Sequence, residues 1–526
     1  MARCARLALK PLAETIDAHA ARIPDALAYA AGDAALTWRD YAARSDALAA
    51  ALVRLGIPRG ERVAVLLPDG PGVHVAFVAT EKAGLVAVGI GPRAGEAEIR
   101  HLIQRSGAVA LVSRARHRDL DARALAERLR AEGMPLRDQL VDESDFAQLP
   151  PPTGPERRAL AERRLAVGDL FLLNSTSGTT GLPKCVQHDQ ARWLRYHEFA
   201  VDAADLSERD VFLSALPAPF GFGIWTGHFT PSLLGAPTIL LPQFDAGALI
   251  AAIERHRVTV MAAVSTQFIL MLDALDRSPH ADVSSLRILF TGGEAVPYQR
   301  AAAFEERTGA RVLQFYGSNE TGALSCTTLR DTRDVRLRTA GHVIPEMHVR
   351  LFDAERRDVT STGRGQPGCR GPLMSAGYWN DEVGNAQLFT ADGWMLMGDI
   401  AEIDANGVLS VVGRTADIII RGGKNISAPV VEAAVMSHPA VALAAAVPVP
   451  DPVFGERVCA VVELHPGRVL VLEELVAHLR EQGVSVESWP ERLLVLDELP
   501  RSSGGKIAKG ELRNVAKRKL QAEERA

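Results

Sequence analysis

The chain has 526 residues, more than one hydrophobic core accommodates, so two or more domains are expected. Hydrophobic residues make up 47% and charged residues 23%, which excludes a disordered or fibrous chain, and the net charge of −5 gives no general attraction to nucleic acid or an anionic membrane. Five cysteines without a CxxC, and fourteen histidines without an HExxH, argue against a disulfide framework and a structural zinc site. The first twenty residues lack an apolar signal core and no apolar run reaches membrane-spanning length, so a reduced cytoplasm is the expected location.

From the N-terminus, residues 36–55 carry apolar side chains at helical spacing and end at Gly56, a suitable C-cap. Residues 62–67 (RVAVLL) read as a strand stopped by the PDG at 68–70. Helix and strand signals then alternate: 75–82 helical, 85–90 extended, 96–106 helical, 109–113 extended. That alternation predicts an α/β fold of layered sheets. Prolines 150–152 and the Gly154-Pro155 pair interrupt the rhythm before a short apolar strand at 169–174. It resumes over 211–289, with helices at 246–256 and 267–275 and strands at 258–264 and 287–290. From Gly341 to Gly413 the chain turns to short strands and frequent glycine, a β-rich subdomain. The last hundred residues read as a small α+β unit. Its helix stripe (Leu472, Leu475, Val476, Leu479) is closed by Gly483 and flanked by strands at 457–464 and 492–499.

The strand at 169–174 empties into the most informative stretch, STSGTTGLPK at 175–184. Gly178 and Gly181 let backbone N–H groups turn inward, the hydroxyls of Ser175, Thr176, Ser177, Thr179 and Thr180 add donors, and Lys184 adds a compact positive charge. Together they suit a polyphosphate. The loop is not a Walker A motif, because Pro183 and Cys185 stand where that pattern needs Gly and Ser or Thr. Lysine usage points the same way. Only eight of the 59 basic residues are lysine, yet Lys184, Lys424 and Lys506 all lie in glycine-rich loops, where a flexible point charge serves and a planar guanidinium does not.

Further along, residues 314–322 read QFYGSNETG, where Tyr316 can stack on a base and Glu320 can hold Mg²⁺. In DGWMLMGD (392–399), Asp399 at a glycine turn suits a ribose diol. The GFGIWTG at 221–227 has GxGxxxG spacing and no flanking Rossmann unit; it reads as an aromatic-lined pocket wall rather than a dinucleotide loop.

Taken in order, STSGTTGLPK, TGGEAVP (291–297), YGSNETG, GYW (377–379), DGWMLMGD, GRTAD (413–417), RGGKNI (421–426) and PRSSGGK (500–506) resemble the motif series of the adenylate-forming superfamily of acyl-CoA synthetases, luciferases and peptide-synthetase adenylation domains. The resemblance runs from about Leu36 to Lys509. It implies an N-terminal ATP- and acyl-binding domain over 1–413, a mobile C-terminal catalytic domain over 414–526, and a site between them. It also implies ATP, Mg²⁺ and coenzyme A as cofactors. A carboxylate attacks the α-phosphate, pyrophosphate leaves, and a thiol then displaces AMP to give a thioester. By position, the 175–184 loop holds the β- and γ-phosphates, Gly293 and Glu294 belong to the cofactor site, Tyr316 stacks adenine, Glu320 binds the metal, Asp399 takes the ribose hydroxyls, and Arg414 supports ribose or phosphate. Lys506 bridges the attacking carboxylate and the α-phosphate. In the thioester step the small domain rotates, and Gly422, Gly423 and Lys424 line a pantetheine path. Two departures stand out. Asn319 replaces the family's usual Thr before the magnesium glutamate, where its amide can still donate to phosphate, and Ala416 replaces the Asp or Lys of the domain pivot.

Amino-acid-activating members carry an aspartate near Phe220 for the substrate ammonium, and residues 220–229 contain no acid, so amino acids are not expected. The apolar, ring-rich set Phe220, Phe222, Ile224, Trp225, Val264, Phe268 and Phe315 suits an aryl, alicyclic or medium-chain acyl group, with Gly292 and Gly317 beside it. Ser265, Thr266, Gln267 and Ser318 either read a ring substituent or satisfy backbone at strand ends. The expected acceptor is free coenzyme A. The alternative is a separate carrier protein, as in an acyl-AMP ligase, and a catalytically inactive ATP-binding protein is opposed by the presence of Glu320, Asp399 and Lys506. Either a monomer or a homodimer is compatible with these features, with no nucleic-acid partner and no membrane span.

Overall fold

The computed structural model describes residues 9–523 apart from 176–182, 294–295, 415–417, 422–423, 452 and 502–505, and the backbone alone at 414, 418, 420, 424, 425, 487 and 521–523. Two sheets organise the N-terminal part. The first has six strands in the order Cys185–Asp189, Leu170–Ser175, Val86–Gly89, Arg62–Leu66, Ala110–Ser113, Asp138–Val141, and only the outermost pair with Cys185–Asp189 is antiparallel. The second has nine strands, with Phe212–Ser214, Val260–Ala262, Ile288–Gly292 and Arg311–Ser318 parallel at its heart.

Strands covered on both faces read as continuous apolar runs, and alternate residues enter different cores. Val63 and Val65 enter the core between the sheets, whereas Ala64 and Leu66 face the core shared with Leu102 and Leu125. In the second sheet Ile288 and Phe290 enter that same central core, and Leu289 points to the opposite side with Phe268 and Phe304. Helices Trp38–Arg54, Pro71–Lys82 and Gln190–Ala204 fill the space between, through residues such as Leu48, Phe77 and Trp193. The first of these starts at a capping box, in which Asp40 N donates to Thr37 Oγ1 (3.1 Å) and Thr37 N donates to Asp40 Oδ2 (3.2 Å). It stops at Gly56, whose φ of +71° is the left-handed conformation glycine tolerates.

A smaller antiparallel sheet spans His348–Phe352, Arg364–Arg370, Asp399–Ile403 and Leu409–Arg414. In the C-terminal sheet, Val441–Asp451 pairs with Gly455–Leu464 along nearly its whole length. One face of it covers Leu475 and Leu479; the other, through Val447 and Val461, packs on Leu499, Leu512 and Ala516.

Helices Glu96–Ser106 and Ala246–His256 have the bounds expected from their spacing. Three expectations need correcting. The strand expected over 258–264 contracts to Val260–Ala262, because the next helix already begins at Ser265. The strand expected over 492–499 ends at Val495, since Leu499 leaves the sheet to join the C-terminal helix in a core. Residues 224–229, read only as pocket wall, form a π-helical turn, Ile224–Phe229, flanked by α-helical turns. Among the described residues no helix is long and apolar enough to cross a membrane.

Candidate active site

Parallel sheets present their ligands with the carboxyl ends of the strands, and here the carboxyl ends of both sheets meet. A Cβ on Gly89 would lie 2.8 Å from Pro219, and one on Gly91 would lie 3.1 Å from the Phe220 ring. Asn174, near the end of Leu170–Ser175, donates from Nδ2 to Asn319 Oδ1 (3.3 Å), just beyond the end of Arg311–Ser318. Residues 145 apart in the chain thereby close one seam. Ser175 is buried at the mouth of this seam, and its hydroxyl has no partner among the described residues. A buried hydroxyl left so is costly unless a polar ligand satisfies it.

On the expected nucleotide side, Tyr316 Oη donates to Asp399 Oδ2 (2.8 Å), so the residues expected at adenine and ribose are neighbours. Asp399 in turn stands opposite Arg414 in the antiparallel register of their strands. Tyr378, which sequence reading used only as part of a motif, donates from Oη to Glu320 Oε1 (2.8 Å), and the Lys184 ammonium lies 4.5 Å from the centre of its ring. Burial first, and then the Glu320 charge, raise the Tyr378 phenol well above its ordinary value, so it stays a donor. The signal was present in GYW, but only the fold brings that ring between the lysine and the acid. Among the described residues no three His, Cys, Asp or Glu side chains converge on one point. A magnesium ion on Glu320 would therefore draw its remaining ligands from phosphate and water, as this ion does beside nucleotides.

Lys506 reaches the same edge from the C-terminal part. Its Nζ donates to the carbonyl of Gly293 (2.8 Å), and a Cβ on Gly293 would come within 2.7 Å of that nitrogen. Gly293 has φ +80° and directly follows Ile288–Gly292, where Gly292 is paired with Phe315. The ammonium thus arrives one residue beyond the Gly292–Phe315 pair, level with Tyr316 in the neighbouring strand.

The expected acyl side is aromatic. Trp225, on the π-helical turn, has its ring 5.0 Å from Tyr196, 5.1 Å from Phe290 and 5.2 Å from Phe315, all edge-on, and stacks on Phe222 at 5.7 Å. These edge-to-face contacts make one apolar cluster, in which Trp225, Tyr196, Phe290 and Phe315 are buried and Phe222 is partly exposed. Phe268 is not among them: it packs edge-on against Phe304 at 5.7 Å on the other side of the sheet, because a buried helix offers apolar residues to two neighbours. Gln267 is committed to scaffold, its Oε1 accepting from Val264 N (3.1 Å) and its Nε2 donating to the carbonyl of Ala215 (3.1 Å). The Ser318 hydroxyl accepts from Thr321 N (3.1 Å) and serves its own turn, while Ser265 is buried at the first residue of its helix. Gly292 and Gly317 meet a backbone need, since a Cβ on either would collide with the carbonyl of Phe315 or of Gly322.

Thr176, Ser177, Gly178, Thr179, Thr180, Gly181, Glu294, Ala416, Gly422 and Gly423 lie outside the described residues, as do the side chains of Arg414 and Lys424.

Residues 16–379 match the family model described as AMP-binding enzyme, and residues 430–506 match that of the AMP-binding enzyme C-terminal domain. The chain is 32% identical over 528 residues to the salicylyl-CoA synthase / salicylate adenylyltransferase of a Streptomyces species, covering 98% of this chain and 95% of that protein. It is 33% identical over 506 residues to the salicyl-AMP ligase / salicyl-S-ArCP synthetase of Mycobacterium tuberculosis, covering 93% and 88%. The crystal structure of the anthranilate CoA ligase AuaEII in complex with anthranoyl-AMP shares the fold, with a TM-score of 0.86 at 24% identity over 99% of this chain and 100% of that one. The chain belongs to the AMP-binding enzyme family, and is an adenylate-forming acid–thiol ligase of the aryl- and acyl-CoA ligase kind.

Proposed function

We propose that the protein activates an aryl carboxylate with ATP and passes the acyl group to coenzyme A. The observation that carries this reading is the ring set around Trp225, combined with the absence of any acidic residue over 220–229. A flat aromatic acid gains apolar contact there, and an amino acid would bury an ammonium with no counter-charge. Alicyclic and medium-chain acids fit the same apolar wall with fewer edge contacts.

In the first half-reaction one carboxylate oxygen of the substrate attacks the α-phosphorus, the bond to the bridging oxygen of the β-phosphate breaks, and pyrophosphate leaves. Two anions must approach, so Lys506, anchored at Gly293, screens them and the charge that develops. Glu320, oriented by Tyr378, would hold the magnesium ion, which supplies charge neutralisation on the phosphates. Tyr316 and Asp399 fix the nucleoside, and Ser175, Asn319 and Lys184 offer donors to its phosphates. In the second half-reaction a thiol sulfur attacks the acyl carbon, the carbonyl–phosphate oxygen bond breaks, and AMP leaves with that oxygen.

A carrier-bound thiol is the second reading, favoured by the relationship to the salicyl-S-ArCP synthetase. Incubation with ATP, Mg²⁺, coenzyme A and a panel of carboxylic acids, read by mass spectrometry, distinguishes the two. An aryl-CoA product supports the proposal. Acyl-AMP persisting in the presence of coenzyme A supports carrier loading, and turnover of short aliphatic acids alone would refute the aryl assignment.

A further inference from the structure

We propose that Arg192 is a positioning residue for adenylation, which sets the proton order of a buried relay and so, together with the Gly221 N–H, turns the Asn319 amide to donate to the nucleotide phosphates. The proposal rests on the adenylating reading of the site. It concerns a guanidinium that is 2% exposed and that none of the motifs contains.

The relay has four members. Arg192 Nη1 lies 2.9 Å from His188 Nδ1, His188 Nε2 lies 2.8 Å from Asn174 Oδ1, and Asn174 Nδ2 lies 3.3 Å from Asn319 Oδ1. A guanidinium has donors only, and that fact fixes every later link. Nδ1 of His188 must accept, so the imidazole proton sits on Nε2 and is donated to Asn174 Oδ1. Asn174 then has only its NH₂ to offer to Asn319, whose Oδ1 accepts. The N–H of Gly221 donates to that same Oδ1 (2.9 Å), so two donors agree on which end of the Asn319 amide is oxygen. Its NH₂ is the end these donors do not engage, on the residue that directly precedes Glu320. Burial, and then the Arg192 charge, hold the His188 ring well below its ordinary value, so it stays neutral and keeps an accepting nitrogen. Arg192 is itself held rigidly: Nε donates to the carbonyl of Leu373 (2.8 Å) and Nη2 to that of Glu320 (3.4 Å), and the guanidinium carbon lies 5.3 Å from the centre of the Trp193 ring. One cation therefore ties down both the metal-binding turn and the amide next to it.

An amide needs this help because it has two ends of opposite polarity. A threonine hydroxyl in the same place can rotate to donate and would not depend on the relay. This distinction supplies the test. In Arg192→Met the imidazole can take its other tautomer and the Asn174 amide can turn over. We expect the affinity for Mg²⁺·α,β-methylene-ATP, measured by calorimetry, and kcat/KM for ATP in pyrophosphate exchange to fall about 10- to 100-fold, the loss expected for a hydrogen bond to a charged group. KM for the carboxylic acid and the rate of thioester formation from supplied acyl adenylate should stay within about threefold, as expected when no contact to those substrates changes. In the Asn319→Thr background the same Arg192→Met change should cost less than about threefold, an interaction that a double-mutant cycle reads directly. His188→Phe keeps a ring 5.5 Å from Trp193 while removing both relay bonds, and should reproduce the loss if Arg192→Met does not fold. Equal penalties in the two backgrounds, or an equal fall in the thioester step, would overturn the proposal and leave Arg192 a packing residue. Wild-type exchange with the acid panel tests the adenylating reading separately, and the nucleotide-binding arm needs no acid at all.

Discussion

Replacing Lys506 by alanine gives the most direct check on how the two parts of the chain cooperate. The ammonium sits 2.8 Å from the Gly293 carbonyl, one residue beyond the strand end that pairs with Phe315, so the C-terminal part contributes a cation to this edge. A carboxylate meeting a triphosphate develops negative charge between them, and one preorganised donor aimed at such charge contributes about 2.7–4 kcal/mol to the transition state. At about 1.4 kcal/mol per tenfold, Lys506→Ala should slow acid-dependent pyrophosphate exchange by about 10²–10³. Lys506→Arg should recover little, because a planar fork does not fit the space that a Gly293 Cβ would already crowd at 2.7 Å. Thioester formation from supplied acyl adenylate should be nearly unchanged, since that step breaks no bond between the α- and β-phosphates. The side chain is only half-buried, so the melting temperature should hold. Exchange within about threefold of wild type would refute the reasoning, as that is well under the loss expected for one such donor.

Tyr316→Phe removes the donor to Asp399 and should raise KM for ATP about three- to tenfold with little change for the acid, as read by exchange kinetics. Trp225→Ala empties the centre of the ring set and should lower unfolding free energy by about 3–5 kcal/mol in denaturant titration. It should also shift preference from aryl towards bulkier acids. Burial raises the Asp69 carboxyl from its ordinary value to about 7, despite the donor Ala218 N at 2.9 Å. The folded state therefore holds a proton that the unfolded chain releases near pH 4, and stability falls as pH rises from about 4 to 7. Asp69→Asn should flatten that part of a plot of melting temperature against pH and raise the value at pH 8. An unchanged slope would show that Asp69 is ionised in the fold.

Spacing alone was enough for the elements whose periodicity is unambiguous. Helices Glu96–Ser106 and Ala246–His256 each bury one stripe, and the capping box at Thr37 and the glycine at 56 bound their helix locally. The candidate site was legible to the extent that it lies in contiguous loops: 175–184, 314–322 and 500–506 carry residue types suited to phosphate, base and metal, and a lysine ammonium. Spacing did not say which face of the 265–277 helix meets the ring set, because apolar residues line it on two sides, and Phe268 takes the far one. It did not reveal that the Gln267 amide would be used up on backbone, nor that Tyr378 would bridge Lys184 and Glu320. Nor did anything local join Arg192 and His188 to Asn174 and Asn319. Those contacts span up to 145 residues and exist only where the carboxyl ends of two separate sheets meet. Residue types and short-range periodicity fix what each segment can do. Which partner a buried polar group finds is decided by how the layers stack, because a group removed from water must bond to whatever the packing brings within about 3 Å.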